Sequence, residues 1–203
     1  MIKLRSCLFL MIVLIGCAAQ ENYAPQNGDI IFHTSTSSQS KAIQLATNSP
    51  YSHMGIVYIQ DGKPFVFEAV QPVKSTPLAE WIERGEGNHF VVKRLKDASE
   101  RLTPDILKRM KSAGDTIAGK DYDLYFEWSD NRIYCSELVW KVYDRAADIQ
   151  LGELQTISEF DLSHPIVAAK IKERFNGSIP ADETVISPAA IFNSPELITF
   201  YQQ

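Results

Sequence analysis

Cysteine, histidine and carboxylate side chains are the groups in this chain with which an acyl group could be attacked and transferred, and their placement is uneven. Of the three cysteines, Cys7 and Cys17 lie in the first stretch of sequence, and only Cys135, in RIYCSELVW, lies in the body of the chain. A thiol with no disulfide partner in an exported protein is either a reactive group or a small buried hydrophobe, and composition does not separate the two. Leu138, Val139 and Val142 recur at helical spacing, which predicts a helix with Cys135 in its first turn. There, unpaired N–H groups and the helix dipole favour thiolate over thiol, and the cysteine N–H can meet a developing oxyanion. Ser136 and Glu137 fit equally well as ordinary cap and first-turn residues.

The histidine and the carboxylate come from SHMGIVYIQDGKPFVFEAV. Two runs of β-branched and aromatic residues flank Asp61-Gly62, a favoured pair for a two-residue hairpin turn. With those two residues in the turn, Gln60 faces Lys63 and Gly55 faces Glu68. His53 and Glu68 are then diagonal neighbours on one face, with roughly 7–8 Å between backbones and long side chains to bridge it. Gly55, opposite Glu68, leaves room for the imidazole to lean across. A three-residue turn would reverse the parity and separate them. A carboxylate beside a histidine fixes its tautomer and stabilises the imidazolium, as a general base requires; the alternative is a polar strand face in water.

The elements that must position these groups follow from the rest of the pattern. Lys3 and Arg5 precede an apolar run ending in Leu14-Ile15-Gly16-Cys17, which resembles the lipobox of bacterial lipoproteins. Residues 1–16 are therefore expected to be a signal peptide, Cys17 a lipidated residue, and 17–26 a tether; an ordinary cleaved signal with an incidental cysteine is the alternative. The expected location is the cell envelope, lipid-anchored on the periplasmic side, and in a Gram-negative organism the outer membrane, since Ala18 is not an aspartate-type retention signal. Formal charge is −5 from 20 basic and 25 acidic residues; removing Lys3 and Arg5 leaves 18 against 25, or −7. That balance argues against a nucleic-acid partner.

Residues 27–203 read as one catalytic domain. Ile30–Phe32 forms a strand after the Asn27-Gly28 turn, and Gly28-Asp29 fits a turn better than catalysis. Residues 35–49 read as a helix, its serines competing for the cap, with Ile43, Leu45 and Ala46 on its apolar side. TPLAEWIERG gives a helix capped by Thr76 with Pro77 at its first position, and HFVVKRL gives a strand. LTPDILKRMKSAGDTIAG repeats the Thr-Pro start and stops near Gly119, and HPIVAAKIKERFNG forms a later helix. Strands cluster early and helices late, which predicts α+β with an antiparallel sheet or small barrel packed against helices. His33, His89 and His164 show no metal-ligand spacing; His164 marks a helix start and His89 opens a strand. No metal or cofactor is expected. The acidic DYDLYFEWSDN stretch lacks calcium-loop spacing and is either groove lining or solvated surface.

In order, GDIIF, YSHMGIV, FEA, YCSELVW and ISPAAIF resemble the circularly permuted branch of the NlpC-type papain-like cysteine peptidase/amidase superfamily, in its YiiX/YaeF-like form. The resemblance extends over residues 27 to 193 and includes SSQSKAIQLAT, EFDLS and KERF, which have no catalytic role. It implies a permuted papain-like fold, Cys135 as nucleophile, His53 as base and Glu68 as orienting acid. It also implies Tyr134, Tyr122 and Ser52 as candidates for the oxyanion site or substrate groove. The expected function is cysteine hydrolysis of amide bonds, peptide or isopeptide, in peptidoglycan peptides or fragments. Two alternatives are a lipid acyl hydrolase or acyltransferase using the same triad, and a non-catalytic binding lipoprotein. Oligomeric state is left open.

Overall fold

The computed structural model describes residues 23–203; the expected signal peptide and the lipobox with Cys17 lie outside them. Asp61 and Gly62 both take positive φ, 50° and 75°, as a two-residue turn matched to strand twist requires. They close β2 (His53–Gln60) on β3 (Lys63–Glu68) with Gln60 opposite Lys63 and Ile56 opposite Phe67, the register expected from the turn. On the other side of β2 lies β1 (Ile30–His33), with Ile31 opposite Gly55 and His33 opposite His53.

The sheet has the order β10-β5-β1-β2-β3-β4 and is antiparallel throughout, with β5 (Val91–Leu95) beside β1 and β10 (Leu197–Gln202) and β4 (Lys74–Pro77) at its edges. It is an open sheet, which decides against the barrel alternative. Period-two alternation divides its residues. Ile30, Phe32, Met54, Ile56 and Phe67 face a core shared with α4 (Pro104–Asp115) and α5 (Cys135–Ala147), whereas Ile31, Val57, Val66 and Val92 pack with Trp81 of α2 (Leu78–Glu83). Each such large apolar side chain contributes about 1.5–3 kcal/mol on full burial.

Thr76 and Pro77, expected to start a helix, belong to β4 instead, where Thr76 pairs with Val66. Helix α2 begins only at Leu78, with Pro77 at its N-cap and no side-chain cap bond. An edge strand accommodates Pro77, and the Thr76 hydroxyl is used elsewhere. The second Thr-Pro start behaves as expected: Thr103 caps α4, which ends at Asp115, short of Gly119. Of α1 (Ser40–Thr47), Ser40 and Ala42 are the buried residues, and Ile43, Leu45 and Ala46 are half-buried. His164 caps α6 (Pro165–Phe175), its Nδ1 accepting from Ile166 N–H at 3.2 Å.

Short elements complete the chain: α3 (Ala98–Arg101), the parallel pair β6 (Asp121–Tyr122) and β7 (Arg132–Ile133), the antiparallel pair β8 (Gln155–Thr156) and β9 (Thr184–Val185), and α7 (Pro188–Phe192). Tyr23, inside the stretch read as tether, stacks on Tyr201 at 5.6 Å and donates to Asp29 Oδ2 at 2.8 Å, so the packed body begins ahead of Asn27. No helix among the described residues is long and apolar enough to cross a membrane.

Candidate active site

His53 opens β2 and Glu68 ends β3. A side chain at position 55 would separate them: a Cβ there would stand 2.5 Å from Val66 Cγ1 and 2.7 Å from Phe67 O. With glycine in that place the strands close, and His53 Nε2 lies 2.6 Å from Glu68 Oε2. Glu68 is fully buried, which is tolerable for a carboxylate only when its lone pairs are filled. Thr76 Oγ1 donates to Oε1 at 2.6 Å, Trp81 Nε1 to Oε2 at 3.0 Å, and Arg84 Nη2 to Oε1. Burial alone would raise the Glu68 pKa. His53, Thr76 and Arg84 outweigh it and hold the carboxyl at about 2.

His53 is buried too, and burial opposes its charge; Cys135 and Glu68 outweigh that penalty and raise the imidazole to about 9. With Nε2 engaged by Glu68, Nδ1 is the ring nitrogen left for the thiol. His33, opposite His53, is held neutral: burial, then the neighbouring His53 and Arg84 charges, push it down to about 3. Its ring stacks on Trp81 at 3.9 Å, and its centroid lies 5.3 Å from that of His53. A neutral ring here walls the imidazolium without repelling it.

Cys135, a buried free thiol, is the first residue of α5, as the helical spacing predicts. Its neighbours are tied down on both sides. Tyr134 N–H donates to Glu137 Oε2 at 3.3 Å, and Glu137 Oε1 accepts from Lys141 at 2.6 Å, so Glu137 is a first-turn cap residue. The Tyr134 hydroxyl accepts from Ile186 N–H at 3.0 Å, while Ser136 Oγ donates to Ile186 O at 2.7 Å. These bonds fix the helix start to the segment following β9.

A groove of about 140 Å³ opens at Cys135 between α1 and α6. Ile43, Phe160, Val167, Ile171, Phe175 and Val185 give it an almost wholly apolar lining, with Gln39, Lys170 and Arg174 as its longer polar side chains. Tyr134 lines the groove as well. Ser52 has a structural position: its Oγ accepts from Ser35 N–H at 2.9 Å and shares a hydrogen bond with Ser40 Oγ at 2.6 Å, which ties the start of α1 to the strand carrying His53. Tyr122 accepts from Gln39 Nε2 at 3.3 Å. Within the acidic loop, Phe126 lines the groove, and Asp123 accepts from Tyr125 and Glu127 N–H at 2.8 and 2.7 Å. Among the described residues no three His, Cys, Asp or Glu side chains cluster as a metal site would need.

The pairing of a buried thiol at a helix start with an imidazole held by a buried carboxylate is a cysteine-hydrolase arrangement, and sequence comparison agrees. The model of the permuted papain-like amidase family, YaeF/YiiX, C92, matches residues 24–201. The chain belongs to that family. It is therefore a cysteine peptidase/amidase, a hydrolase, with the mixed α+β fold of the group. The YiiX protein of Escherichia coli K12, described as uncharacterized, is 48% identical over 196 residues, 97% of this chain and 95% of that protein. A crystal structure described as metalloprotein yiiX from Escherichia coli O157:H7 superposes with a TM-score of 0.86 at 50% identity, covering 89% of this chain and 99% of that one.

Thr76, Trp81 and Arg84, which fill the lone pairs of Glu68, were not picked out from sequence. Trp81 lies on α2 and Arg84, three positions on, is its C-cap with helical backbone angles, a spacing that puts them on a shared face. Gln39 and Arg174 gave no local signal, being 135 positions apart.

Proposed function

We propose that this chain hydrolyses amide bonds in the cell envelope by way of an acyl-enzyme on Cys135, with the protein anchored through a lipid on Cys17. The 2.6 Å bond between His53 Nε2 and the buried Glu68 carboxylate carries the reading, because it supplies the oriented, readily protonated imidazole that a thiolate nucleophile requires. The Cys135 sulfur bonds to the carbonyl carbon and the π pair moves to oxygen. As the tetrahedral species collapses, the C–N bond breaks and the His53 imidazolium gives its proton to the leaving amine. Water then attacks the thioester while His53 takes one of its protons. The C–S bond breaks, releasing the carboxylic acid and returning the electron pair to sulfur.

Resemblance points to peptide or isopeptide bonds of peptidoglycan. The groove favours the second substrate reading, an amide whose acyl half is a hydrocarbon chain, since muropeptides carry carboxylates and amines that this lining would leave unpaired. Incubation of the enzyme with muropeptides and with N-acyl amides of graded chain length, in parallel, separates the two. Release of free fatty acid at a rate that rises about fourfold per methylene, the equivalent of ~0.8 kcal/mol, supports the acyl-chain reading. Turnover of muropeptides alone would reject it in favour of peptidoglycan. Cys135 alkylating no faster at neutral pH than a free thiol would instead favour a non-catalytic binding lipoprotein.

A further inference from the structure

Val167, Lys170, Ile171 and Arg174 follow one another on a single face of α6, and all four line the groove. Val167 and Ile171 offer hydrocarbon; Arg174, about 10 Å along the helix from Val167, offers a guanidinium. Two neutral acceptors hold it. Nη2 donates to Gln39 Oε1 at 2.5 Å and Nη1 to Leu124 O at 3.0 Å. Those bonds leave N–H groups to spare and none of the charge compensated. Lys170, one turn back, pairs with Glu173 at 2.7 Å, whereas no carboxylate pairs with Arg174 among the described residues. A half-buried cation in an apolar lining carries a desolvation cost that a counter-charge offsets. The last turn of a helix favours a positive residue, which accounts for the sign of the charge but not for its setting in the groove.

The guanidinium also stands at the reactive end. Gln39, which it holds, reaches the Tyr122 hydroxyl at 3.3 Å, and Tyr122 pairs with Ile133, just ahead of Cys135 in the chain. Burial raises the ionisation of that hydroxyl; a Cys135 thiolate adds to the rise and Arg174 opposes it, so both charges act on one atom. The hydrocarbon stretch of α6 therefore runs away from the nucleophile, and the cation lies near it.

We propose that Arg174 binds an anion on the amine half of the scissile amide. The substrate class is then an N-acylated amine with a carboxylate or phosphate close to the amide nitrogen, an N-acyl amino acid in its simplest form. This rests on the acyl-chain reading above, with the hydrocarbon along Val167 and Ile171 and the carbonyl at Cys135. An anion at the far end of the acyl half would instead meet only the apolar side chains of Ile157, Phe160 and Val185. The spare N–H groups of the guanidinium suit a carboxylate or phosphate, which accept such bonds in pairs. The anion takes no part in bond-making. When the C–N bond breaks, His53 gives its proton to the nitrogen and the amine leaves with its anion unchanged, while water later releases the fatty acid from Cys135.

The test compares decanoic acid release from three amides of equal chain length: N-decanoylglycine, N-decanoyl-O-phosphoethanolamine and the uncharged N-decanoylethanolamine. In the parent, kcat/KM for the better anionic amide is expected to exceed that for the uncharged one by about 10–100-fold, the range of one charge-assisted contact. Whichever anionic amide is faster identifies the anion as carboxylate or phosphate. Arg174→Gln should bring the ratio to within about twofold of one, chiefly through KM, and Arg174→Lys, which keeps the charge but not the fork, should recover part of it. Equal kcat/KM for charged and uncharged amides in the parent overturns the assignment, whether or not the variants fold. A loss in Arg174→Gln that falls equally on all three amides also overturns it, because a purely structural role does not sort substrates by charge. Cleavage of muropeptides with no decanoic acid released from any of the three removes the acyl-chain reading itself, and release that persists in Cys135→Ala removes the acyl-enzyme.

Discussion

Replacing Glu68 by Gln removes one charge at the most enclosed point of the site and preserves its shape. The carboxylate is fully buried and bonded to His53, Thr76, Trp81 and Arg84. Its NH₂ replacement must face at least one donor that the carboxylate accepted. The His53 imidazole stands at about 9 against an ordinary 6.5, with burial opposing the rise and Cys135 and Glu68 producing it. If Glu68 supplies a large share, its loss lowers that pKa by roughly 1–2 units, or about 1.4–2.8 kcal/mol of imidazolium stabilisation. Hydrogen bonds to a charged acceptor contribute ~1.5–3 kcal/mol against ~1 for neutral ones, so weakening at Thr76 and Trp81 adds to the loss. Arg84, whose side chain is 42% exposed, adds less because water screens it. The sum is on the order of 2–4 kcal/mol, a fall in Tm of about 4–16 °C for a domain of this size. The assay is a thermal melt at pH 6, together with imidazole proton NMR titration of His53 in parent and Glu68→Gln. A His53 titration at about 9 in both, with Tm unchanged, would refute the claim that Glu68 holds the imidazolium.

Three further outcomes follow from the same geometry. The Tm gap between parent and Glu68→Gln depends on pH in a set direction. The raised His53 contributes stability that is fully present below 6.5 and is lost as pH rises through about 9, whereas the depressed Glu68 contributes stability present above 4.5 and lost as pH falls through about 2. Melts across pH should therefore show the widest gap between 4.5 and 6.5, narrowing on both sides; a gap that widens toward pH 9 contradicts the ion pair. Gly55→Ala, whose Cβ would stand 2.5 Å from Val66 Cγ1, should lower stability by about 1–3 kcal/mol in chemical denaturation and slow turnover by moving β3 away from His53. Ile171→Glu, in the apolar lining, should abolish the chain-length dependence of N-acyl amide hydrolysis and leave iodoacetamide alkylation of Cys135 unchanged.

How far the site could be read from sequence depended on how local each contact is. The His53–Glu68 proximity was legible because one tight turn at Asp61-Gly62 sets the register of both strands, and strand parity does the rest. The start of α5 was legible because a helix announces itself in the spacing of Leu138, Val139 and Val142. Thr76 misled: Thr-Pro is a strong helix start in isolation, but here a sheet edge takes those residues and the buried carboxylate takes the hydroxyl. The insertion of β5 between β1 and β10 and the bridge from Gln39 to Arg174 depend on segments far apart in the chain. No local pattern encodes such contacts, because they form only when the packed body brings the segments together. The apolar groove belongs to the same class, since α1 and α6 each look like ordinary amphipathic helices until they face one another.

The most direct test of the central claim is intact-mass and peptide-level detection of a covalent adduct after brief incubation with N-acyl amides and with muropeptides. The acyl mass is expected on Cys135, formed transiently in the parent and absent from Cys135→Ala. Turnover with no adduct on Cys135, or turnover retained in Cys135→Ala, would contradict it.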